Sequence, residues 1–314
     1  MRVVVAGATG VVGRQVVPLL TAAGHEVVAL SRRPGPQRAA GVRAVGVDAL
    51  DQAALAASVR DAQPDAVVHL LTAIPARIDP RRMERDFALT NRLRTESART
   101  LASAAGDAGA RFLAQGLAYA YDPAPGAADE DAPFWNRPPK QWATTLEALR
   151  TLERITAEAG GLVLRFGHLY GPGTAFGRGG SGLAQISARK MPVVGDGSGT
   201  FSFTHTRDAA SAVVAALDHP QVTGALNIVD DEPALLRDWL PGVAALLGAP
   251  APQKVPTAMA RLAAGAWGAA FMTRLRGADN SRARQALEWA PRYPTWREGF
   301  TAEHLGSEQA ARKA

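Results

Sequence analysis

Apolar and polar positions follow two rhythms along the first 170 residues. Short runs rich in β-branched residues recur at Arg2–Ala6, Glu26–Leu30, Val42–Val47, Asp65–Leu71, Ala110–Gln115 and Leu162–Phe166. Between them, apolar positions recur at helical spacing, which predicts helices over Val11–Ala23, Leu55–Asp61, Met83–Ala108 and Trp142–Ala159. In Met83–Ala108 the spacing puts Leu89, Leu93, Ser97, Leu101 and Ala104 on one face. The strand at Asp65–Leu71 is continuously apolar, the pattern of a strand covered on both sides. Strands alternating with helices predict βαβ units and an α/β fold, a Rossmann-type doubly wound parallel sheet. Pro18 sits inside the first helix, where it removes one backbone hydrogen bond.

Beyond Gly171-Pro172-Gly173 the texture changes. Gly177–Gly182 reads as a glycine-rich turn, Leu183–Ala188 as a short helix, and Pro192–Thr204 as a strand pair around Gly195-Asp196-Gly197. A helix at Asp208–Leu217 and a strand at Ala225–Val229 follow, the strand returning to the main sheet. Leu235–Leu247, Thr257–Met272, Ser281–Leu287 and Arg297–Leu305 read as helices, and the last ten residues as a loose tail. Tyr121–Lys140, with five prolines and several acids, reads as a surface excursion. The expected division is a dinucleotide-binding Rossmann domain over 1–170, rejoined by 206–230, and a mainly helical substrate lobe over 171–314.

Composition narrows the chemistry. There is no cysteine among the 314 residues, so disulfides, thiolate metal sites and a cysteine nucleophile are excluded, and a reducing cytoplasm is the expected compartment. The net charge is +6, but the basic residues (31 arginines and only Lys140, Lys190, Lys254 and Lys313) are dispersed among acids, which argues against a nucleic-acid partner. No apolar stretch is long enough for a membrane span: Leu262–Met272 has 11 residues and reads as a buried helix or lobe interface. The histidines show no metal-ligand spacing, so no metal is expected.

Ala6-Gly7-Ala8-Thr9-Gly10-Val11-Val12-Gly13 lies between the first strand and the first helix. Glycines at this spacing allow a tight bend, close approach of a pyrophosphate and close packing of helix on sheet, while the helix N-terminus offers amides to the phosphates. Gly7, Thr9, Gly10, Val11, Val12 and Gly13 are the expected cradle. The second strand ends in Arg32 and Arg33, where an acid would hold a ribose 2′-hydroxyl; guanidinium groups suit a 2′-phosphate, hence NADP(H) in preference to NAD(H). Asp48 and Ala49 follow the third strand and Leu70, Leu71 and Thr72 the fourth; Asp48 is placed either for the adenine amino group or to cap the next helix.

These motifs, with Asp65-Ala66-Val67-Val68-His69-Leu70, Asn91, Leu164–Gly173, Val194-Gly195-Asp196-Gly197, His205-x-x-Asp208-Ala209-Ala210 and Gly224–Ile228, make the chain resemble the extended, epimerase/dehydratase branch of the short-chain dehydrogenases/reductases. The resemblance covers most of the chain. It implies further cofactor contacts at Gln115 and Phe166, and a homodimer paired through Met83–Ala108 and Trp142–Ala159. It also implies that His69 packs beneath the sheet edge and that His205 with Asp208 staples the lobe. That family carries a Ser/Thr after the fifth strand and Tyr-x-x-x-Lys on the next helix. Here the hydroxyl position falls on Gly116 or Leu117, and Trp142 and Leu146 replace the tyrosine and lysine. Neither indole nor leucine can run a proton relay.

Other residues on the same sheet edge remain as catalytic candidates: His168 as general acid or base, Tyr119 as a phenol, and Thr145, with Thr144, to orient an oxygen. Where sugar-nucleotide members hold phosphate with arginine, this chain has Phe201, and with Leu117, Trp142, Trp135, Tyr119 and Tyr121 nearby a small apolar or aromatic substrate is expected. Trp239, Trp267, Trp289 and Trp296 read as core of the helical lobe. The sequence therefore describes an NADP(H)-binding oxidoreductase acting on a small carbonyl or alcohol by a non-standard proton relay. A non-redox cyclase, isomerase or lyase, or a cofactor-binding sensor, would use the same fold.

Overall fold

The computed structural model describes residues 1–33, 40–75 and 77–311, with side chains described through residue 304. Seven strands form one parallel sheet: β1 (Arg2–Ala6), β2 (Glu26–Ser31), β3 (Val42–Gly46), β4 (Ala66–His69), β5 (Arg111–Leu117), β6 (Leu162–Phe166) and β7 (Gly224–Ile228). Their order is β7-β6-β5-β4-β1-β2-β3. The strand order reverses between β1 and β4, and in open α/β sheets that crevice receives the ligand.

The helices are α1 (Gly13–Ala22), α2 (Gln52–Ala62), α3 (Met83–Arg92), α4 (Ala98–Asp107), α5 (Lys140–Glu158), α6 (Ser181–Ser187), α7 (Thr206–Asp218), α8 (Leu236–Leu246), α9 (Thr257–Thr273), α10 (Ser281–Ala286) and α11 (Trp296–Ala311). Successive side chains of β1 serve opposite layers, as pleating demands. Val3 and Val5 pack with Val16, Leu20, Val213 and Ala283 from α1, α7 and α10. Val4 and Ala6 pack with Leu55, Val59, Leu101 and Leu152 from α2, α4 and α5. The predicted strands and helices thus become a three-layer α/β/α body.

A further core lies beyond the carboxyl edge of the sheet. There Met83, Phe87, Trp142 and Leu149 from α3 and α5 meet Phe201, Phe203, Trp239, Trp267 and Trp296. Its short strands correct one expectation. Pro192–Thr204 does not fold back on itself. Val193–Val194 pairs with Lys254–Val255, Thr200–Phe201 with Ala234–Leu235, and Phe203–His205 with His168–Tyr170. Two glycines at positive φ, Gly195 and Gly197, lead the chain away from a simple hairpin.

Four other differences have clear causes. Tyr121–Lys140 has little regular structure, yet Tyr121, Ala128, Glu130 and Trp135 are buried. Arg165 explains this: its guanidinium donates to both Glu153 carboxylate oxygens, to the Tyr121 hydroxyl and to the Glu130 carbonyl. The Tyr121 hydroxyl in turn donates to Asn227 Oδ1, so this ring belongs to the β6–β7 side, apart from Tyr119 and Trp142. Trp289 joins the sheet core and donates its indole N–H to Ser211. α11 continues to Ala311, so much of the expected tail is helix; residues 312–314 lie outside the described residues.

α9 is apolar but not uniformly buried. It breaks at Gly265, whose φ of 75° and ψ of 178° are beyond the reach of other residues. Before the break Met259 and Leu262 are exposed; after it Trp267, Ala269 and Ala270 are buried. The Arg81 guanidinium donates to the Leu262 carbonyl and ties the outer half to the chain after β4. Among the described residues no helix is long and apolar enough to cross a membrane.

Candidate active site

The turn from β1 into α1 is built as a cradle. Gly7 adopts φ of 95°, and a Cβ there would meet the Leu70 carbonyl oxygen at 2.8 Å, so side-chain-free backbone lets β1 and β4 close together. A Cβ on Gly13 would overlap the Gly7 carbonyl and meet Ala8 Cα at 2.7 Å, which fixes helix against turn. Gly10 differs: its Cβ would meet only Gly7 O, at 3.1 Å, and its other side is open. The amides of Val11, Val12 and Gly13 have no intramolecular acceptor among the described residues. α1 also has no acidic residue in its first turn and no side-chain cap. Unused amides at a helix N-terminus form a phosphate site.

A cleft of about 270 Å³ opens from this turn, lined by Gly7, Thr9, Gly10, Arg32, Asp48, Ala49, Leu70, Leu71 and Thr72. Leu89 and Leu93 complete it. Leu89 is therefore 38% exposed although it lies on the apolar stripe of α3: it faces the cleft, not the core. Asp48 accepts from the Leu50 amide, whereas Asp51 caps α2 through the Ala54 amide. Capping thus belongs to Asp51, and Asp48 remains exposed at the cleft. Arg33 is exposed outside the cleft lining, and Gln115 and Phe166 lie in β5 and β6, also outside it. Phe166 is fully buried in the sheet core.

At the end of β5 the missing hydroxyl has a steric reason. A Cβ on Gly116 would meet Val163 Cγ1 at 2.6 Å. Leu117 is buried in the apolar core. Past them, rings from separate segments form a gallery. Trp142 stacks on Trp267, Tyr119 lies over His168 with centroids 4.2 Å apart, and Phe201 follows His168 at 4.6 Å. Trp142 and Tyr119 are near-parallel, 6.5 Å apart. The structure therefore brings together Tyr119, Trp142, His168 and Phe201. Thr145 is fully buried and accepts from Asn91 Nδ2, while Thr144 points to solvent.

His168 is buried, and burial pulls its imidazole down to about 4, so it is uncharged at neutral pH. Its Nδ1 lies 3.2 Å from the Ser202 carbonyl, which can only accept. The proton therefore sits on Nδ1, and the buried Nε2 presents an unpartnered lone pair. In this resting tautomer Nε2 can accept a hydrogen bond or a proton. Burial likewise raises the Tyr119 phenol above its ordinary range, so it is no phenolate at neutral pH. His69 is buried near Leu93 O, and His205 and Asp208 bind the C-terminal segment through Glu303 and the amides of Arg292 and Tyr293.

One residue escaped sequence reasoning. Arg94, within the π-helical stretch Leu93–Ser97 that joins α3 to α4, is 2% exposed. It makes no hydrogen bond or ion pair among the described residues, and its Nη1 is buried without a partner. In the sequence it looks like any other helix arginine. Its charge acts on the nearby Tyr119, and no carboxylate among the described residues pairs with it.

The sheet order, the glycine turn and the amide-lined cleft define a nicotinamide-dinucleotide-binding protein of the extended short-chain dehydrogenase/reductase type. The chain belongs to the NAD-dependent epimerase/dehydratase family, whose profile matches residues 3–229. It is 46% identical over 309 residues to the 3-diazoavenalumate denitrifying reductase of a Streptomyces species, spanning 96% of this chain and 100% of that one. It is 31% identical over 246 residues to the bovine epimerase family protein SDR39U1, spanning 72% and 74%. Among solved structures, human SDR39U1 (isoform 2) with NADPH superposes with a TM-score of 0.74 at 25% identity, covering 97% of this chain and 99% of that one. UDP-glucose 4-epimerase from Thermotoga maritima, at 18% identity and a TM-score of 0.75, shares the fold, covering 99% and 100%.

Proposed function

We propose that the protein is an NADPH-dependent reductase of a planar aromatic substrate, and that the reaction is replacement of a diazo nitrogen by hydrogen. The glycine turn and the amides of Val11, Val12 and Gly13 would hold the diphosphate, and Arg32 would take the 2′-phosphate that distinguishes NADP(H). NADPH in the human structural relative and the reductase named at 46% identity support this reading.

The observation that carries it is the proton-poor gallery. Trp142 and Leu146 stand where the relay would be, His168 is neutral with its proton turned toward Ser202, and the Tyr119 phenol is raised. A carbonyl reduction needs an acid at the oxygen, and the tyrosine–lysine pair that supplies it in the resembled family is absent here. Bound NADPH would supply a hydride, and replacement of an aryl diazonium nitrogen would balance without an acid: C–H would form, C–N would break, and the bonding pair would leave with dinitrogen. The chain's task is then to stack the ring and exclude water. Trp142, Tyr119, His168 and Phe201 would do this, and the unpaired Nε2 of His168 would offer a lone pair.

The test is incubation with 3-diazoavenalumate and NADPH deuterated at C4, in ordinary water and then with ordinary NADPH in heavy water. NADPH oxidation with nitrogen release and deuterium entering the arene only from the labelled cofactor is the expected result. Reduction of cinnamaldehyde but not of the diazo compound, or retained cofactor without any oxidation, would overturn it.

A further inference from the structure

Arg94 is a buried basic group near the gallery whose side chain has no hydrogen bond or ion pair among the described residues. Its guanidinium is buried, carries an unpartnered Nη1, and its charge is felt by Tyr119 beyond β5 and by His69 at the end of β4. Those two residues bracket the carboxyl edge of the sheet beside the cleft, to which the adjoining Leu93 belongs. Other arginines that reach inward are satisfied: Arg165 by Glu153, and Arg111 by the Ala216 and Val222 carbonyls. The acid nearest in sequence, Glu96, is already held by Arg92.

An isolated buried cation costs several kcal/mol. A methionine of similar length would remove that cost, so an arginine kept here is explained by a ligand that closes the charge. The closing group must accept hydrogen bonds, carry negative charge and suit a planar fork with two parallel N–H groups; a carboxylate meets all three. The π-helical turn that carries Arg94 is itself a feature frequent at functional sites. We propose that Arg94 is the substrate-anchoring residue: it receives the carboxylate of a planar, conjugated aromatic acid whose ring lies in the Trp142–Tyr119–His168 gallery. The proposal rests on reading that gallery as the substrate site, but not on hydride transfer.

The test is calorimetric titration of the NADP⁺-saturated protein with 4-hydroxycinnamate and with 4-hydroxycinnamamide, which differ only in the anionic end. The wild type is expected to bind the acid at least tenfold more tightly than the amide. Arg94→Met is expected to abolish that preference, to keep NADP⁺ affinity within twofold, and to unfold at no lower temperature than the wild type. Arg94→Lys, with charge but no fork, should retain part of the preference. Equal binding or no binding of the two probes by the wild type, a preference that survives in Arg94→Met, or a loss of NADP⁺ affinity in that variant would each overturn the proposal. Carboxylate-dependent binding without NADPH oxidation on any diazo substrate would leave Arg94 in place and sink only the reductase reading.

Discussion

The indole of Trp142 lies flat on that of Trp267, with ring centroids 4.3 Å apart and planes 7° from parallel. The first comes from α5, the helix that in the resembled family carries the catalytic tyrosine at this position; the second comes from α9 of the distal region. The position that would run acid chemistry has become part of an aromatic core. Trp267→Ala removes half of that stack, and large aromatic truncations in packed cores cost about 3–5 kcal/mol. Substrate turnover should fall with a raised KM while NADPH affinity is unchanged, as read by steady-state kinetics and cofactor titration.

Two glycines of the turn should separate folding from binding. Gly13→Ala drives a methyl into the Gly7 carbonyl and Ala8, backbone that cannot retreat, and should destabilise by roughly 2–4 kcal/mol in urea unfolding. Gly10→Ala meets only one oxygen at 3.1 Å and should fold with a small loss. On the proposed cofactor site its methyl would stand in the path of the diphosphate, so NADPH affinity should drop at least tenfold.

Arg32→Ala should weaken NADPH by roughly tenfold or more, the scale of a lost charge-assisted hydrogen bond, and leave NADH unchanged. Arg33→Ala, outside the cleft lining, should leave both unchanged. Equal losses for the two cofactors in titrations with each variant would count against a 2′-phosphate contact.

The buried His168 imposes a pH dependence on stability. Unfolded, it binds a proton below about 6.5; folded, it resists protonation down to about 4. Stability is therefore lost as pH falls through that window, by up to ~1.4 kcal/mol per pH unit for this one group. His69, likewise held near 4, adds a second proton of the same sign. Denaturant unfolding from pH 7 to 4 should show a shallower loss in His168→Asn than in the wild type.

Arg165→Met leaves Glu153 and the Tyr121 hydroxyl without their donor in a largely buried setting. The expected cost is roughly 3 kcal/mol or more in urea unfolding. Because the same guanidinium holds the Glu130 carbonyl, the variant should also be cut by protease within 121–139 faster than the wild type.

What the sequence made legible was local. The turn between β1 and α1, the return of β7 to the main sheet, and the place of Arg32 each depend on contiguous residues or on strand periodicity. The gallery was read as a set of candidates, because Trp142, Tyr119, His168 and Phe201 come from separate segments whose meeting depends on tertiary packing. Burial was the harder quantity. Nothing in the spacing of Tyr121–Lys140 shows that Arg165 pulls it inward, and proline-rich polar composition argues the other way. Arg94 was hidden for the same reason: one arginine among 31 in a charged helix declares nothing until its surroundings are known. His168 was found by position, but its tautomer belongs to the Ser202 carbonyl, 34 residues away.

Gly265 has one more consequence. Because the backbone there leaves helical geometry, the two parts of α9 are separate levers: Trp267 clamps the inner one against Trp142, and Arg81 tethers the outer one to the chain after β4. Loss of the Arg81 tether should therefore free the outer part and leave the stacked indoles in place.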